Sequence, residues 1–284
     1  MTRTPFGTSV RRPPSALFDS PATANPPSLR PPLKWAGGKR WLVPRLANIW
    51  EPHRARRLVE PLCGGLAVTL GLLPSRALLN DRNPHAIHFY RWLKRGLRIE
   101  IPMENDERMF YAHRDAFNRL IAGGLAGSKQ AAEYFYYLNR TGYNGLCRFN
   151  KSGEFNVPFG KYKTINYRKD FREYAAVFRK WKFTHGDFED VSLQAGDFVY
   201  ADPPYDVEFR QYSKEGFEWP EQERLALWLS RHAGPVALSN QATDRIVKLY
   251  RALGFRLEFL DAPRRISCTG DRTPAKEVLA TKGI

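Results

Sequence analysis

A chain of 284 residues with 43% hydrophobic residues is long enough for one large domain, or for a core with a sizeable insertion. Its 45 Lys and Arg against 29 Asp and Glu leave a formal charge of +16, which points to a polyanionic partner, nucleic acid first, although a merely basic housekeeping protein fits the charge as well. No apolar run reaches membrane-spanning length, no continuous apolar stretch opens the chain as in a secretory signal, and the three scattered cysteines (Cys63, Cys147, Cys268) form no zinc-type spacing, so no metal site is expected and a reducing, cytoplasmic compartment is.

Eight prolines fall within residues 1 to 32. Such a segment holds no regular helix, and residues 1–29 read as a disordered arm. Arg3, Arg11 and Arg12 would suit an organelle transit peptide, but the prolines oppose the amphipathic helix it needs. Past Pro31-Pro32 comes Leu33-Lys34-Trp35-Ala36-Gly37-Gly38-Lys39, a glycine-containing loop with a tryptophan between cations. Gly37-Gly38 permit unusual backbone angles, so Trp35 could cover a ligand and Lys39 meet a carboxylate. A turn leading into a helix, with a packed tryptophan, explains the same residues equally well.

Arg57 to Glu60 reads as a short strand that ends in Pro61-Leu62-Cys63-Gly64-Gly65, and Ala77 to Leu79 as a second that ends at Asn80-Asp81. Pro84 to Leu97 follows as a helix, with proline near its start and Gly96 near its end. The middle differs: helical stretches around 110–122 and 129–139, then a loop rich in glycine, asparagine and aromatics. From 169 the alternation returns, with a helix over 171–181 and a strand from Asp197 to Ala201 running into Asp202-Pro203-Pro204-Tyr205. A helix over 220–233, a strand over 235–239 and a helix over 243–253 come next. Strands over 255–260 and 276–281 flank the basic pair Arg264-Arg265. The pattern is α/β: a Rossmann-like, doubly wound, mostly parallel sheet built from residues 30–84 and 169–284, with a mainly helical insert over 85–168. Ligands of such sheets bind at the carboxyl ends of the strands, where Glu60 to Gly65 and Asp202 to Tyr205 both fall.

Asp202-Pro203-Pro204-Tyr205 is the most informative tetrapeptide. Methyl transfer to an exocyclic amine needs acceptors for the two N–H protons, an electrophile in line, and stabilisation of the charge that develops on nitrogen. A carboxylate from Asp202 and a carbonyl from Pro203, held by a turn that Pro204 stiffens, meet the first and third needs, and Tyr205 can stack on a base. A plain proline-rich turn is the competing explanation. Gly64 allows close approach of a ligand, and Asp81, about twenty residues beyond the glycine turn, stands where nucleotide-binding sheets place an acid for ribose hydroxyls. Neither a complete G-x-G-x-x-G nor a P-loop is present, which argues against a dinucleotide enzyme or an NTPase. Asn139 to Asn150 gathers Arg140, Tyr143, Asn144, Leu146, Arg148 and Phe149, and continues to Tyr162. Arginine can read guanine bidentately and an aromatic ring can wedge into a base stack, while a packed surface loop remains the simpler alternative.

Together these segments resemble the Dam family of DNA adenine-N6 methyltransferases, in the order cofactor loop, recognition insert, DPPY segment. The resemblance spans residues 30 to 284. It is most specific in Leu138 to Tyr162, through Tyr-Asn-Gly-Leu-Cys-Arg and Glu-Phe-Asn-Val-Pro-Phe-Gly, and in Lys34 to Lys39; the Arg264-Arg265-Ile266-Ser267 string agrees with it. It implies S-adenosylmethionine as cofactor and double-stranded DNA as partner, with methylation of a flipped adenine within GATC by a monomer. Trp35, Lys39, Glu60, Gly64, Asp81, Asp187 and Asp202 would then line the cofactor site, and Asp202, Pro203, Pro204 and Tyr205 would be catalytic. Lys34 would contact the first guanine, with Arg140 beside it; Tyr143 would insert into the stack, Asn144 would act beside the vacated base, and Leu146, Arg148 and Pro158 would read the outer half. The chain departs from the family at Leu66, where a glycine is usual, so an altered loop is expected there. Methylation of another amine, such as cytosine N4 or an RNA base, and a DNA binder without catalysis are the competing functions; the intact Asp202 to Tyr205 segment speaks against the second.

Overall fold

A computed structural model of the chain describes residues 29–206, 217–263 and 275–284. Arg264 to Ser267 and Cys268 lie outside them, as does the arm up to residue 28. The strands are β1 (Leu58–Glu60), β2 (Ala77–Asp81), β3 (Trp181–His185), β4 (Phe198–Ala201), β5 (Val236–Gln241), β6 (Arg256–Ala262) and β7 (Ala275–Lys282). They form one sheet in the order β3-β2-β1-β4-β5-β7-β6, in which β7 runs antiparallel to both its neighbours and the other pairs are parallel. The order reverses between β1 and β4, whose register pairs Leu58 with Phe198 and Val59 with Val199. The loops that leave these two strands therefore start side by side, at the point where such sheets bind ligands.

Apolar residues on successive strand positions feed opposite faces of the sheet. Leu58, Leu79, Tyr200 and Leu279 pack on one side, with α1 (Val43–Trp50), α2 (Ala67–Leu72), α3 (Pro84–Lys94) and α6 (Arg172–Phe178). Val59, Leu78, Val199, Leu238 and Val278 pack on the other, beneath α7 (Trp219–Ser230) and α8 (Asp244–Ala252). The doubly wound reading of the sequence is thus realised. Helix starts follow local chemistry. The Asn83 side chain accepts from the backbone N–H groups of His85 and Ala86 to cap α3, and Thr243 caps α8 through Ile246.

Four details differ from the sequence pattern. First, the helix read over 171–181 stops at Phe178, and Trp181 opens β3. This is an edge strand whose Trp181 and Phe183 are buried while Lys182 faces solvent; the indole N–H of Trp181 donates to the Pro74 carbonyl at 2.9 Å, a contact that no local pattern reveals. Second, α1, a short amphipathic helix, and α2, a six-residue and mostly buried one, are too short to stand out in the sequence pattern. Third, α4 (Glu107–Ala122) and α5 (Lys129–Thr141) have no core of their own: Phe110, Phe117, Phe135 and Tyr136 belong to the same cluster as Leu58 and Leu79, and α3 packs on β2 and β3 as well as on α5. Fourth, Leu29 is buried in that cluster, and the Tyr174 hydroxyl donates to the Arg30 carbonyl at 2.6 Å, so packing begins at the last residue assigned to the arm.

Candidate active site

Asp202 leaves β4 into a turn that is held from four directions. The Ser239 hydroxyl on β5 donates to Asp202 Oδ1 at 2.8 Å, and it also meets the Tyr200 hydroxyl at 2.9 Å. Gln222 Nε2 on α7 donates to the Pro204 carbonyl at 2.7 Å and is itself held by Asn240. The Tyr205 hydroxyl donates to Glu277 Oε2 on β7 at 2.5 Å. Asp206 is clamped by Arg245 and by the Thr243 hydroxyl at 3.1 Å. Among the described residues no donor meets Asp202 Oδ2 or the Pro203 carbonyl, so both acceptors remain open. Burial pushes the Asp202 carboxyl up to about 6, against the pull of Lys39 and Ser239.

The facing wall comes from β1, β2 and the glycine loops. Trp35 lies on Gly64 and Gly65: a Cβ at either would fall 2.7 Å from the tryptophan side chain, so only glycine lets the ring pack. Asp81, at the end of β2, accepts from the backbone N–H of Gly64 at 2.8 Å and of Asn83 at 2.9 Å, tying the loop after β1 to the start of α3. Burial raises its carboxyl, and these two N–H groups oppose the rise. Glu60 is buried and bonded to the Thr69 hydroxyl; burial pushes it up to about 8, so at neutral pH it is mostly an uncharged anchor for α2. Lys39 closes the two walls together. Its ammonium donates to the Gly37 carbonyl at 2.9 Å, lies 3.5 Å from Asp202 Oδ1 and 3.9 Å from Glu277 Oε1, and sits 4.3 Å over the Tyr205 ring.

These walls enclose a cavity of about 820 Å³, to which Trp35, Lys39, Glu60, Gly64, Asp81, Asp187 and the whole Asp202 to Tyr205 turn contribute. Asp187 lines it, but its carboxylate is gripped bidentately by Arg224 at 2.8 and 2.7 Å, which holds it below the usual range. Leu66 adopts φ 62°, ψ 26° and is fully buried. The loop thus keeps the left-handed conformation that a glycine would take, with a core side chain in its place.

The residues expected to read DNA lie mostly in one segment, Arg140 to Pro158, with Lys34 bonded to it. The segment read as a loop is a small hairpin: Phe149 bridges Phe155, Gly142 bridges Phe159, and Asn156 N–H bonds Arg148 O at 3.1 Å. Tyr143 is 50% exposed, and its N–H donates to the carbonyl of the exposed Pro158 at 2.9 Å. Asn144 is exposed at φ 51°, while Leu146 is half-buried against the core. Arg148 is exposed, its guanidinium held by Asn156 at 2.8 and 3.1 Å. Arg140 donates to the Asn166 carbonyl at 3.3 Å. Lys34 is turned inward, its ammonium on the Arg140 carbonyl at 2.7 Å and 3.6 Å from the Tyr162 ring centre; burial pulls it down to about 8. The hairpin also walls the cavity through Cys147, Phe149 and Gly153, with Phe149 stacked on His85 at 4.6 Å. Sequence reasoning passed over Ser239, Gln222, Asn240, Arg224 and Glu277. The first three and Glu277 are buried and Arg224 is half-buried, and their partners lie on other elements, so no local pattern marks them.

Residues 35–264 match the family of D12 class N6 adenine-specific DNA methyltransferases. The chain is 36% identical over 266 residues to the retron Ec67 DNA adenine methylase of Escherichia coli, a match that covers 88% of this chain and 90% of that one. It is 33% identical over 278 residues to the type II methyltransferase M.MjaIII of Methanocaldococcus jannaschii, covering 86% and 95%. To the DNA adenine methylase of Escherichia coli K12 it is 33% identical over 271 residues, covering 87% and 93%. With its Asp202 to Tyr205 turn at the sheet's switch point and this match over most of its length, the chain belongs to the D12 class of N6 adenine-specific DNA methyltransferases.

Proposed function

We propose that this enzyme methylates N6 of the adenine in GATC, turned out of duplex DNA into the cavity beside Asp202. One observation carries the reading: Asp202 Oδ2 and the Pro203 carbonyl, both without a donor among the described residues, sit on the rim of a cavity whose far wall is the Trp35–Gly64–Asp81 assembly. Its volume lies within the roughly 300–1,000 Å³ of small-molecule sites. Asp81 keeps lone pairs for ribose hydroxyls beyond the two it gives the backbone, Trp35 offers a covering ring, and Lys39 a positive charge. These groups fit S-adenosylmethionine, which supplies an electrophilic methyl group when bound.

The chain's own residues do the rest. Asp202 and the Pro203 carbonyl accept hydrogen bonds from the two N6–H groups, which localises the nitrogen lone pair and directs it across the cavity. The Asp202 carboxylate stabilises the positive charge that grows on N6, and is basic enough to receive the proton that N6 sheds after transfer. Tyr205 stacks on the extruded base, while exposed Tyr143 fills the gap left in the duplex. The likeness of Leu138 to Tyr162 to the Dam family supports GATC as the site. Both cavity and hairpin come from one chain, which supports a monomer, and no helix among the described residues is long and apolar enough to cross a membrane. A cytoplasmic place of action belongs to the same proposal.

The test is tritium transfer from labelled S-adenosylmethionine to duplexes carrying GATC or single-base variants of it, with the modified base identified after digestion. N6-methyladenine confined to GATC is expected. Label on cytosine overturns the reaction assigned here, and adenine methylation in another core overturns the site alone.

A further inference from the structure

Glu277 lies on β7, a strand outside both motifs that carry the proposed chemistry, yet its carboxylate reaches the centre of them. It pairs in register with Gln241 of β5 and Leu260 of β6, and shares a face of the sheet with Leu279. It is 7% exposed. A carboxylate buried on a strand is costly unless its oxygens are satisfied. Glu277 turns both toward the site: Oε2 accepts a hydrogen bond from the Tyr205 hydroxyl at 2.5 Å, and Oε1 faces the Lys39 ammonium across an ion-pair distance of 3.9 Å. Lys39 also lies 3.5 Å from Asp202 Oδ1 and 4.3 Å from the centre of the Tyr205 ring. One ammonium is therefore shared between two carboxylates.

We propose that Glu277 is a positioning residue for methyl transfer: it fixes the plane of the Tyr205 ring and shares the Lys39 ammonium with Asp202, so that Asp202 stays an effective acceptor for the substrate amine. This rests on the function proposed above. Without Glu277 the ammonium would settle on Asp202 alone, and a carboxylate neutralised by a close ammonium accepts weakly from an amine. With it, Oδ1 is engaged by Ser239 and partly by Lys39, and Oδ2 keeps its full strength. The phenol of Tyr205, bonded at its far end, cannot swing, and the ring face is presented to the base in one orientation.

The groups around Asp202 give the assignment a second readout. They are Lys39 from the glycine loop, Glu277 from β7, Glu60 from β1, and the phenols of Tyr200, Tyr205 and, from α8, Tyr250. Glu277 raises the Asp202 carboxyl and Lys39 lowers it. Removing the charge at Glu277 should therefore move the acid limb of the methylation rate to lower pH.

The experiment compares wild type, Glu277→Gln and Tyr205→Phe in single-turnover methylation of a duplex with one GATC, at saturating S-adenosylmethionine, across the pH range. Glu277→Gln keeps the volume and an acceptor for Tyr205 and removes only the charge. Its rate at neutral pH should fall at least about fivefold, a fraction of what a lost direct stabiliser costs. Its acid limb should shift downward, with cofactor Kd and thermal midpoint little changed. Tyr205→Phe should slow transfer without that shift. A Glu277→Gln enzyme with wild-type rate and acid limb, one altered only in thermal midpoint, or one that cannot fold overturns the assignment, since each marks Glu277 as structural. Failure of the wild-type chain to methylate any adenine would instead overturn the proposed function.

Discussion

Asp202 combines burial, an anchored Oδ1 and an Oδ2 that meets no donor among the described residues. Replacing it with alanine should cost at least about 100-fold in the rate of transfer, the scale of one lost electrostatic stabiliser, and leave DNA binding nearly intact. Near-normal turnover in the variant would remove Asp202 from the mechanism. The sign of the pH effect follows from its carboxyl near 6: below that pH the group is protonated and accepts poorly, so activity should fall as pH drops through 6 and level off above it. A rate–pH profile flat from 5 to 8 would contradict this. Leu66 poses a different question, because its left-handed angles favour glycine and its burial favours leucine. Relief of the backbone is worth roughly 1–2 kcal/mol, whereas losing a buried leucine side chain costs about 2–5 kcal/mol. Leu66→Gly should therefore destabilise the fold in urea titration, and a more stable variant would show that the side chain packs less well than its burial implies.

The exposed side chains of the hairpin, proposed to read DNA, are braced by their neighbours. Arg148 does not stand free; Asn156 holds its guanidinium through both side chain and backbone. Arg148→Ala should relax discrimination at the outer base pair by about 1–3 kcal/mol, and Asn156→Ala should produce part of the same loss without touching DNA. Methylation rates on GATC and on sites changed at one outer pair, at fixed salt, measure both. Equal slowing on every site would mark Arg148 as a phosphate contact. Gly145 joins this element to the cofactor loop. Its φ is +64°, and a Cβ there would lie 2.4 Å from the Lys34 side chain. Gly145→Ala should push Lys34 from the Arg140 carbonyl and weaken specific binding more than cofactor binding, which paired calorimetric titrations would resolve.

At the scale of the molecule, the positive charge lies almost entirely beyond the proline-rich N-terminal segment. Residues 1–28 hold three arginines and one aspartate, so +14 of the +16 belongs to residues 29–284. Deleting 1–28 should leave specific methylation and its steep salt dependence unchanged, since the phosphate-neutralising charge stays. Extending the deletion through Leu33 removes the buried Leu29 and Leu33 and the carbonyl that anchors Tyr174, and should lower the thermal midpoint. If the shorter deletion already abolishes methylation in a folded protein, the arm takes part in DNA binding. The insert has no core apart from the sheet's, so α4 and α5 excised alone should not fold.

Local chemistry is legible along the chain. Asp202 to Tyr205, the paired glycines and Asp81 announce themselves because turns and ligand approaches demand particular residues at fixed spacing. The strands on either side of the switch point were legible for the same reason, as short apolar runs that end in such turns. Tertiary structure alone decided which distant groups meet. Glu277 is one acid at the head of a mostly apolar run until β7 inserts between β5 and β6 and brings it to Tyr205 and Lys39. Asp187 reads as a free acid until α7 lays Arg224 across it. β3 stays hidden until Trp181 finds the Pro74 carbonyl, and the insert looks separate until its phenylalanines join the core beneath β1 and β2. Hydrogen bonds and burial between residues a hundred positions apart depend on how the chain crosses back on itself, and periodicity read along the chain carries no record of that path.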